Sequence, residues 1–216
     1  MSEHKITTLS LNPLVAVIDD FFDAGDAHHI IELGRNDLGP SNVLVGTSRT
    51  SSDKRSNLHA VLDQWQDARC TELANRLSAI VRLPPENAES AKLLCYRDDQ
   101  KFDPHFDAYS LALGHVEYLR MGGQRLFTTI CYLNDVDEGG ETVFPALKIA
   151  VTPRLGRVLM FSNTVPGANE PHPHALHAGT ALTAEGEKWV LSLWWREQMY
   201  HVPRDYPQND GPIRKI

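Results

Sequence analysis

Apolar and polar positions change period near Pro84 and Pro85. Before the proline pair the spacing is helical: Asp26 can cap a segment running to about Gly34 with Ile30, Ile31 and Leu33 on one side. A second helix is expected from about Asp63 to Val81, where Cys70, Leu73, Leu77, Ile80 and Val81 recur at helical intervals until the prolines stop it. The stretch from Gly39 to Asn57, rich in Ser, Thr and Asn, reads as a loop with one edge strand. After Pro85 the pattern alternates. Strands are expected at Ala91 to Tyr96, His105 to Tyr109, Arg125 to Asn134, Gly156 to Ser162 and Lys188 to Glu197, with glycine turns at 122–123, 139–140 and 186. Residues 162–175 read as a long loop and 201–216 as a fraying tail. Helices followed by many short strands predict a mainly β fold, a sandwich or jelly roll supported on one face by N-terminal helices, with space for a ligand inside.

Composition adds limits. A chain of 216 residues with 42% hydrophobic and 23% charged residues is that of one ordinary globular domain. A formal net charge of -7 argues against a phosphate-tracking surface, so no nucleic-acid partner is expected. The N-terminal apolar stretch is broken by Asn12, Pro13, Asp19 and Asp20, and no run of about 18 apolar residues occurs, so neither a signal peptide nor a spanning helix is expected. Cys70, Cys95 and Cys131 are odd in number and sit inside apolar segments, which reads as reduced core thiols in a cytoplasmic protein.

The sharpest chemical feature is Pro104-His105-Phe106-Asp107. On a strand, residues two apart share a face, so imidazole and carboxylate would project into one cavity. An isolated His-x-Asp is more often a surface hydrogen-bonded pair. Here His172, His174 and His177 follow about seventy residues later as candidates for a third donor. Two His and one carboxylate on one face leave open positions on a metal, the arrangement of non-haem iron oxygenases. In the last strand Lys188, Val190, Ser192 and Trp194 share one face, while Trp189, Leu191, Leu193 and Trp195 form a core face. Lys188 is then either an exposed residue after the Gly186 turn or an ammonium inside the barrel, where a ligand carboxylate could be its partner.

Taken together these residues resemble the prolyl 4-hydroxylase family of iron(II)- and 2-oxoglutarate-dependent dioxygenases, in its short single-domain bacterial, algal and viral form. Tyr96, Pro104-His105-Phe106-Asp107, Gly123-Gln124-Arg125, Tyr132 to Val136, Gly139-Gly140-Glu141-Thr142-Val143-Phe144-Pro145, Leu176-His177 and Lys188-Trp189 agree with it in order and spacing. The resemblance implies a double-stranded β-helix of the cupin-like jelly-roll kind and a single domain over 1–216: helical support and substrate-side loop in 1–90, catalytic core in 91–200, tail in 201–216. It further implies that His105, Asp107 and His177 hold iron(II), with His177 preferred over His174, and that Lys188 pairs with the distal carboxylate of 2-oxoglutarate, aided by Tyr96, Thr142 and Ser192. Arg125, Trp194 and Arg49 resemble substrate-side residues. Phe102 departs from the tyrosine many relatives carry three positions before the first ligand.

The reaction so implied is hydroxylation of peptidyl proline to 4-hydroxyproline by dioxygen, with release of succinate and carbon dioxide, ascorbate as reductant, and no protein general base. The partner would be a proline-containing peptide or protein, with no nucleic acid and no membrane involved. Three alternatives rank below it: hydroxylation of a free amino acid or other small molecule, a non-catalytic jelly-roll sensor of metal or dicarboxylate, and a nucleic-acid demethylase.

Overall fold

Among the described residues strand pairing is antiparallel throughout and builds two sheets facing each other, with a separate two-stranded hairpin. The computed structural model describes residues 5–41, 43–45, 48–50 and 54–201, with 43–45 and 48–50 followed through their backbone only. In chain order the elements are β1 (Ile6–Leu11), β2 (Leu14–Ile18), α1 (Ala24–Gly34), β3 (Gly39–Pro40), the hairpin β4 (Val43–Val45) and β5 (Ser48–Thr50), β6 (Leu58–Leu62) and α2 (Ala68–Val81). There follow β7 (Ala91–Arg97), β8 (Phe102–His105), the single turn α3 (Val116–Leu119), β9 (Arg125–Tyr132), β10 (Thr142–Phe144), β11 (Ile149–Val151), β12 (Val158–Ser162), β13 (His177–Gly179) and β14 (Glu187–Arg196). The large sheet runs β1-β2-β12-β9-β14-β7-β6-β3 and the small one β11-β10-β13-β8. The jelly roll expected from the alternation is therefore present.

Each central strand of the large sheet is buried on both faces, because helices cover one side and the small sheet the other. On β14, Trp189, Leu191, Leu193 and Trp195 join Leu73, Leu77 and Ile30 of the helices in one core. The opposite face, with Val190, meets Tyr96, Tyr132, Phe144 and Phe161 in a second core between the sheets. Pairing of Lys188 with Tyr96 and of Trp194 with Thr128 fixes which residues reach that inner space. A one-residue slip would turn Lys188 into the helix-side core and a tryptophan into the cavity.

Several boundaries differ from expectation for local reasons. Asp23, not Asp26, caps α1; its Oδ1 accepts from the Asp26 amide at 2.9 Å. Likewise α2 starts at Ala68 under the Asp67 cap, since Asp63 is spent on a turn in which its Oδ1 accepts from the Trp65 amide. The first ninety residues are not only helical support and loop: β1, β2, β3 and β6 all extend the large sheet. The loop expected over Gly39 to Asn57 holds β3 and the β4-β5 hairpin. β8 ends at His105, so Asp107 lies beyond the strand rather than on it.

Candidate metal centre and cosubstrate cavity

His105, the last residue of β8, is the register partner of His177, the first residue of β13. This pairing sets the two imidazoles 4.3 Å apart between ring centroids, and the chain leaving β8 brings Asp107 against both. Asp107 Oδ1 lies 3.6 Å from His105 Nε2, and Oδ2 lies 3.6 Å from His177 Nε2. The three donor atoms sit within 4.8 Å of one another.

The tautomers follow from the hydrogen bonds. His105 Nδ1 donates to the Asp103 carbonyl at 2.9 Å and His177 Nδ1 to the Ala175 carbonyl at 3.0 Å; a carbonyl can only accept, so the proton of each neutral ring is on Nδ1. Both Nε2 lone pairs are thus left facing Asp107. Burial pushes His177 down to about 4, with His105 adding and Asp107 opposing, so the ring is neutral at pH 7. Burial alone would raise Asp107, but His177, His105 and Arg125 outweigh it and hold the carboxyl well below the usual carboxylate range. One buried carboxylate with two imidazole donors, three ligands on one side, is the donor set that fits a divalent iron and leaves positions open.

A relay that the sequence did not reveal orients Asp107. Thr128 Oγ1 donates to its Oδ2 at 2.7 Å, and Asn163 Nδ2 donates to Thr128 Oγ1 at 2.9 Å. Phe102 stacks on His105 at 3.5 Å and carries the Arg55 guanidinium over its ring at 4.4 Å. His172 and His174 stay apart from the centre: His172 Nε2 meets Asn12 Oδ1 at 3.1 Å, and its Nδ1 accepts from the His174 amide. The other donor cluster among the described residues, His29, Asp67 and Cys70, is taken up by the α2 cap, and burial pushes the Cys70 thiol up to about 11.

From the triad the cavity runs inward to Lys188, which is 2% exposed. Its ammonium donates to the Gly140 carbonyl at 2.9 Å and stands 4.0 Å from the Tyr96 ring centroid; no carboxylate pairs with it among the described residues. Burial accordingly pushes Lys188 down to about 8, with Glu141 opposing. The Gly139-Gly140 turn that supplies this carbonyl needs glycine: Gly139 has φ 77°, and a Cβ there would meet the Ala181 carbonyl at 2.5 Å. Thr142 Oγ1 accepts from the Tyr132 hydroxyl at 2.7 Å, which leaves its own hydrogen free to point at a ligand. Tyr96, Ser192 and Gly179 line the same space, and a Cβ on Gly179 would sit 3.7 Å from Lys188 Nζ.

Outward, a cleft of ≈ 460 Å³ opens past His105 and Asp107. Arg125 forms one wall, held bidentately by Glu89 at 2.6 and 2.7 Å, stacked on Trp194 at 4.4 Å and bonded to the Asp107 carbonyl at 3.3 Å. Trp194 lines both spaces, and its buried indole N–H has no hydrogen-bond partner among the described residues. The side chain of Arg49, the remaining expected substrate-side residue, lies outside the described residues.

Residues 91–196 match the family model of the 2OG-Fe(II) oxygenase superfamily. The chain is 31% identical to Probable prolyl 4-hydroxylase 10 of Arabidopsis thaliana over 93% of its own length and 75% of the relative's. In fold it is similar to the viral collagen prolyl hydroxylase of Paramecium Bursaria Chlorella virus-1 in complex with 2-oxoglutarate, with TM-score 0.63, 23% identity, and 84% and 95% of the two chains covered. It is also similar to a Trichoplax adhaerens prolyl hydroxylase in complex with a hypoxia inducible factor peptide, with TM-score 0.62, 14% identity, and 85% and 83% covered. Sequence likeness over nearly the whole chain, joined to a matching fold and a donor set suited to iron, places this chain in the prolyl 4-hydroxylase family of iron(II)- and 2-oxoglutarate-dependent oxygenases.

Proposed function

We propose that this protein hydroxylates peptidyl proline to 4-hydroxyproline. The observation that carries the reading is the placing of the His105-Asp107-His177 triad where an inner cavity, with a buried ammonium that no carboxylate pairs with among the described residues, adjoins an open cleft, His105, Asp107 and Trp194 lining both. In this reading His105, Asp107 and His177 ligate iron(II), and Lys188 pairs with the distal carboxylate of 2-oxoglutarate, with Tyr96, Thr142 and Ser192 supplying hydroxyls. Bound iron(II) supplies the chemistry of dioxygen activation coupled to decarboxylation of 2-oxoglutarate, which yields succinate and carbon dioxide.

The protein's own groups bind and orient. Thr128 and Asn163 hold Asp107 in place, the core between the sheets excludes water from the cavity, and Arg125 and Trp194 position the substrate, the indole N–H being a donor awaiting an acceptor such as a peptide carbonyl. Arg49 is assigned to substrate binding by the family resemblance alone. No protein general base is assigned. An open cleft favours a peptide over a free amino acid, which would suit a closed pocket. The further elements of the reading are one catalytic domain spanning 1–216, ascorbate as the reductant and a reducing, cytoplasmic location, the last supported by three buried free thiols.

The test is peptide-dependent turnover. Succinate should appear in step with oxygen gained by a proline-containing peptide, and free proline should not substitute; coupling to free proline and not to peptide would transfer the reading to a small-molecule hydroxylase.

A further inference from the structure

Gln124, in the Gly123-Gln124-Arg125 segment, is 1% exposed, and its carboxamide bonds entirely to backbone. Its Oε1 accepts from the Tyr109 backbone amide at 2.8 Å and from that of Arg125 at 3.0 Å. Its Nε2 donates to the Tyr109 carbonyl at 2.7 Å and to the Asn169 carbonyl at 2.8 Å. A carboxamide offers two acceptor sites and two N–H groups, so its capacity is fully used. Turned over, it would set its nitrogen against two donors and its oxygen against two carbonyls, so the partners fix its orientation.

The segments so joined are walls of the cleft. Tyr109 lies just beyond Asp107, where the chain has left β8, and its two bonds to Gln124 stand in for a strand pairing. Arg125 opens β9, and Asn169 belongs to the stretch between β12 and β13, shortly before Pro171. Tyr109, Arg125 and Pro171 all line the cleft, whereas Gln124 lines neither it nor the inner cavity. Another link between the first and last of these walls, from the Leu111 amide to Glu170 Oε1 at 3.1 Å, is exposed and competes with water. The metal donors are secured separately. Thr128 and Asn163 hold Asp107, and His177 is in register with His105. The stretch that carries Asn169 is closed at its base, the His172 amide donating to the Asn163 carbonyl at 2.8 Å and the Asn163 amide to the Leu126 carbonyl at 2.9 Å. Loss of the Gln124 carboxamide thus loosens the cleft walls and leaves the triad in place.

We infer that Gln124 is a positioning residue for the peptide substrate, its carboxamide setting the separation of the Tyr109, Arg125 and Pro171 walls. This inference rests on the peptidyl-proline reading above and adds to it a residue that acts on the substrate only through others. Without its donors the Tyr109 and Asn169 carbonyls lose their partner and the walls shift. Misplacement by about 1 Å can cost on the order of 100-fold in a reaction that depends on orientation. With the triad retained the effect falls on the peptide, on the order of tenfold in Kd.

The test compares wild type with Gln124→Met, which keeps the length of the side chain and removes its bonds, and with Gln124→Asn, which keeps the carboxamide but withdraws it by one methylene. Calorimetry on manganese-loaded protein with 2-oxoglutarate gives the Kd of a short poly-L-proline, and manganese and 2-oxoglutarate are titrated on the same samples. Both variants should bind poly-L-proline on the order of tenfold more weakly, with wild-type affinity for manganese and 2-oxoglutarate. In turnover with iron(II), KM for poly-L-proline should rise by more than kcat falls. If Gln124→Met does not fold, Gln124→Asn decides alone. Unchanged binding of poly-L-proline, or a joint loss of affinity for manganese, 2-oxoglutarate and poly-L-proline, would overturn the inference while leaving proline hydroxylation standing. Wild-type protein that neither binds nor hydroxylates poly-L-proline would overturn the peptidyl-proline reading and this inference with it.

Discussion

Replacing Lys188 by Met separates ligand binding from folding, because the two respond in opposite directions. Lys188 is pushed down to about 8 from the ordinary 10.5 by burial, a shift worth about 3 kcal/mol of penalty on the charged form. For a lysine whose folded value is depressed, that penalty is fully present below about pH 8 and is relieved as pH rises from about 8 towards 10.5. Against it stands the loss of the bond to the Gly140 carbonyl, about 1–3 kcal/mol when an acceptor is left buried alone. Metal-free Lys188→Met at neutral pH should therefore be as stable as wild type or up to about 2 kcal/mol more stable in urea unfolding. Binding of 2-oxoglutarate to manganese-loaded protein, measured by calorimetry, should weaken by about 2–4 kcal/mol, on the order of 30- to 1000-fold in Kd. Wild-type affinity should be flat below about pH 8 and fall roughly tenfold per unit above it, while the variant shows no such slope. A variant that binds 2-oxoglutarate like wild type, or one that loses several kcal/mol of stability, would refute the assignment of Lys188 as an ammonium kept for a ligand.

Other perturbations probe other parts of the site. Thr128→Val removes the donor to Asp107 Oδ2 and should weaken metal binding about 10- to 100-fold, read by metal titration; unchanged affinity would deny the relay its positioning role. Tyr132→Phe removes the bond that fixes the Thr142 hydroxyl and should raise KM for 2-oxoglutarate several-fold with little change in kcat; an effect on kcat alone would contradict this. Glu89→Gln leaves the Arg125 and Arg196 guanidinium groups buried beside a neutral amide, so a stability loss of about 3–5 kcal/mol should appear as a lowered Tm. Glu89 itself, which burial alone would raise, is held below its ordinary value by Arg125 and Arg196. Its contribution is present above the unfolded carboxyl range and is lost as pH falls through the lower, folded one.

Legibility in the sequence tracked segment length and pattern. The alternation in 188–195 was long enough to assign each residue to its face, and Lys188, Ser192 and Trp194 do line the cavity while Trp189, Leu191 and Trp195 lie in the helix-side core. β10, β11 and β13 have three residues each, too few for any period to show. β2 reads Leu14-Val15-Ala16-Val17-Ile18 without alternation because both its faces are buried, so its place in the large sheet was not apparent. His105 and Asp107 were found through their spacing, though the reason they meet is the turn beyond β8 rather than a shared strand face. Thr128, Asn163 and Glu89, and the bond of Tyr132 to Thr142, are not legible because single hydroxyl, amide and carboxylate residues acquire meaning only through tertiary register, such as the pairing of Thr128 with Trp194. Arg55 was hidden for the same reason, its bridge to Phe102 being long-range.

The most direct measurement of the central claim is mass spectrometry of host-cell proteins incubated with iron(II), 2-oxoglutarate and isotopically labelled dioxygen, comparing wild type with His105→Ala. The account predicts labelled oxygen on defined prolines, present with wild type and absent with the variant. Oxygen-dependent succinate release without any labelled proline, or labelling that survives in His105→Ala, would contradict it.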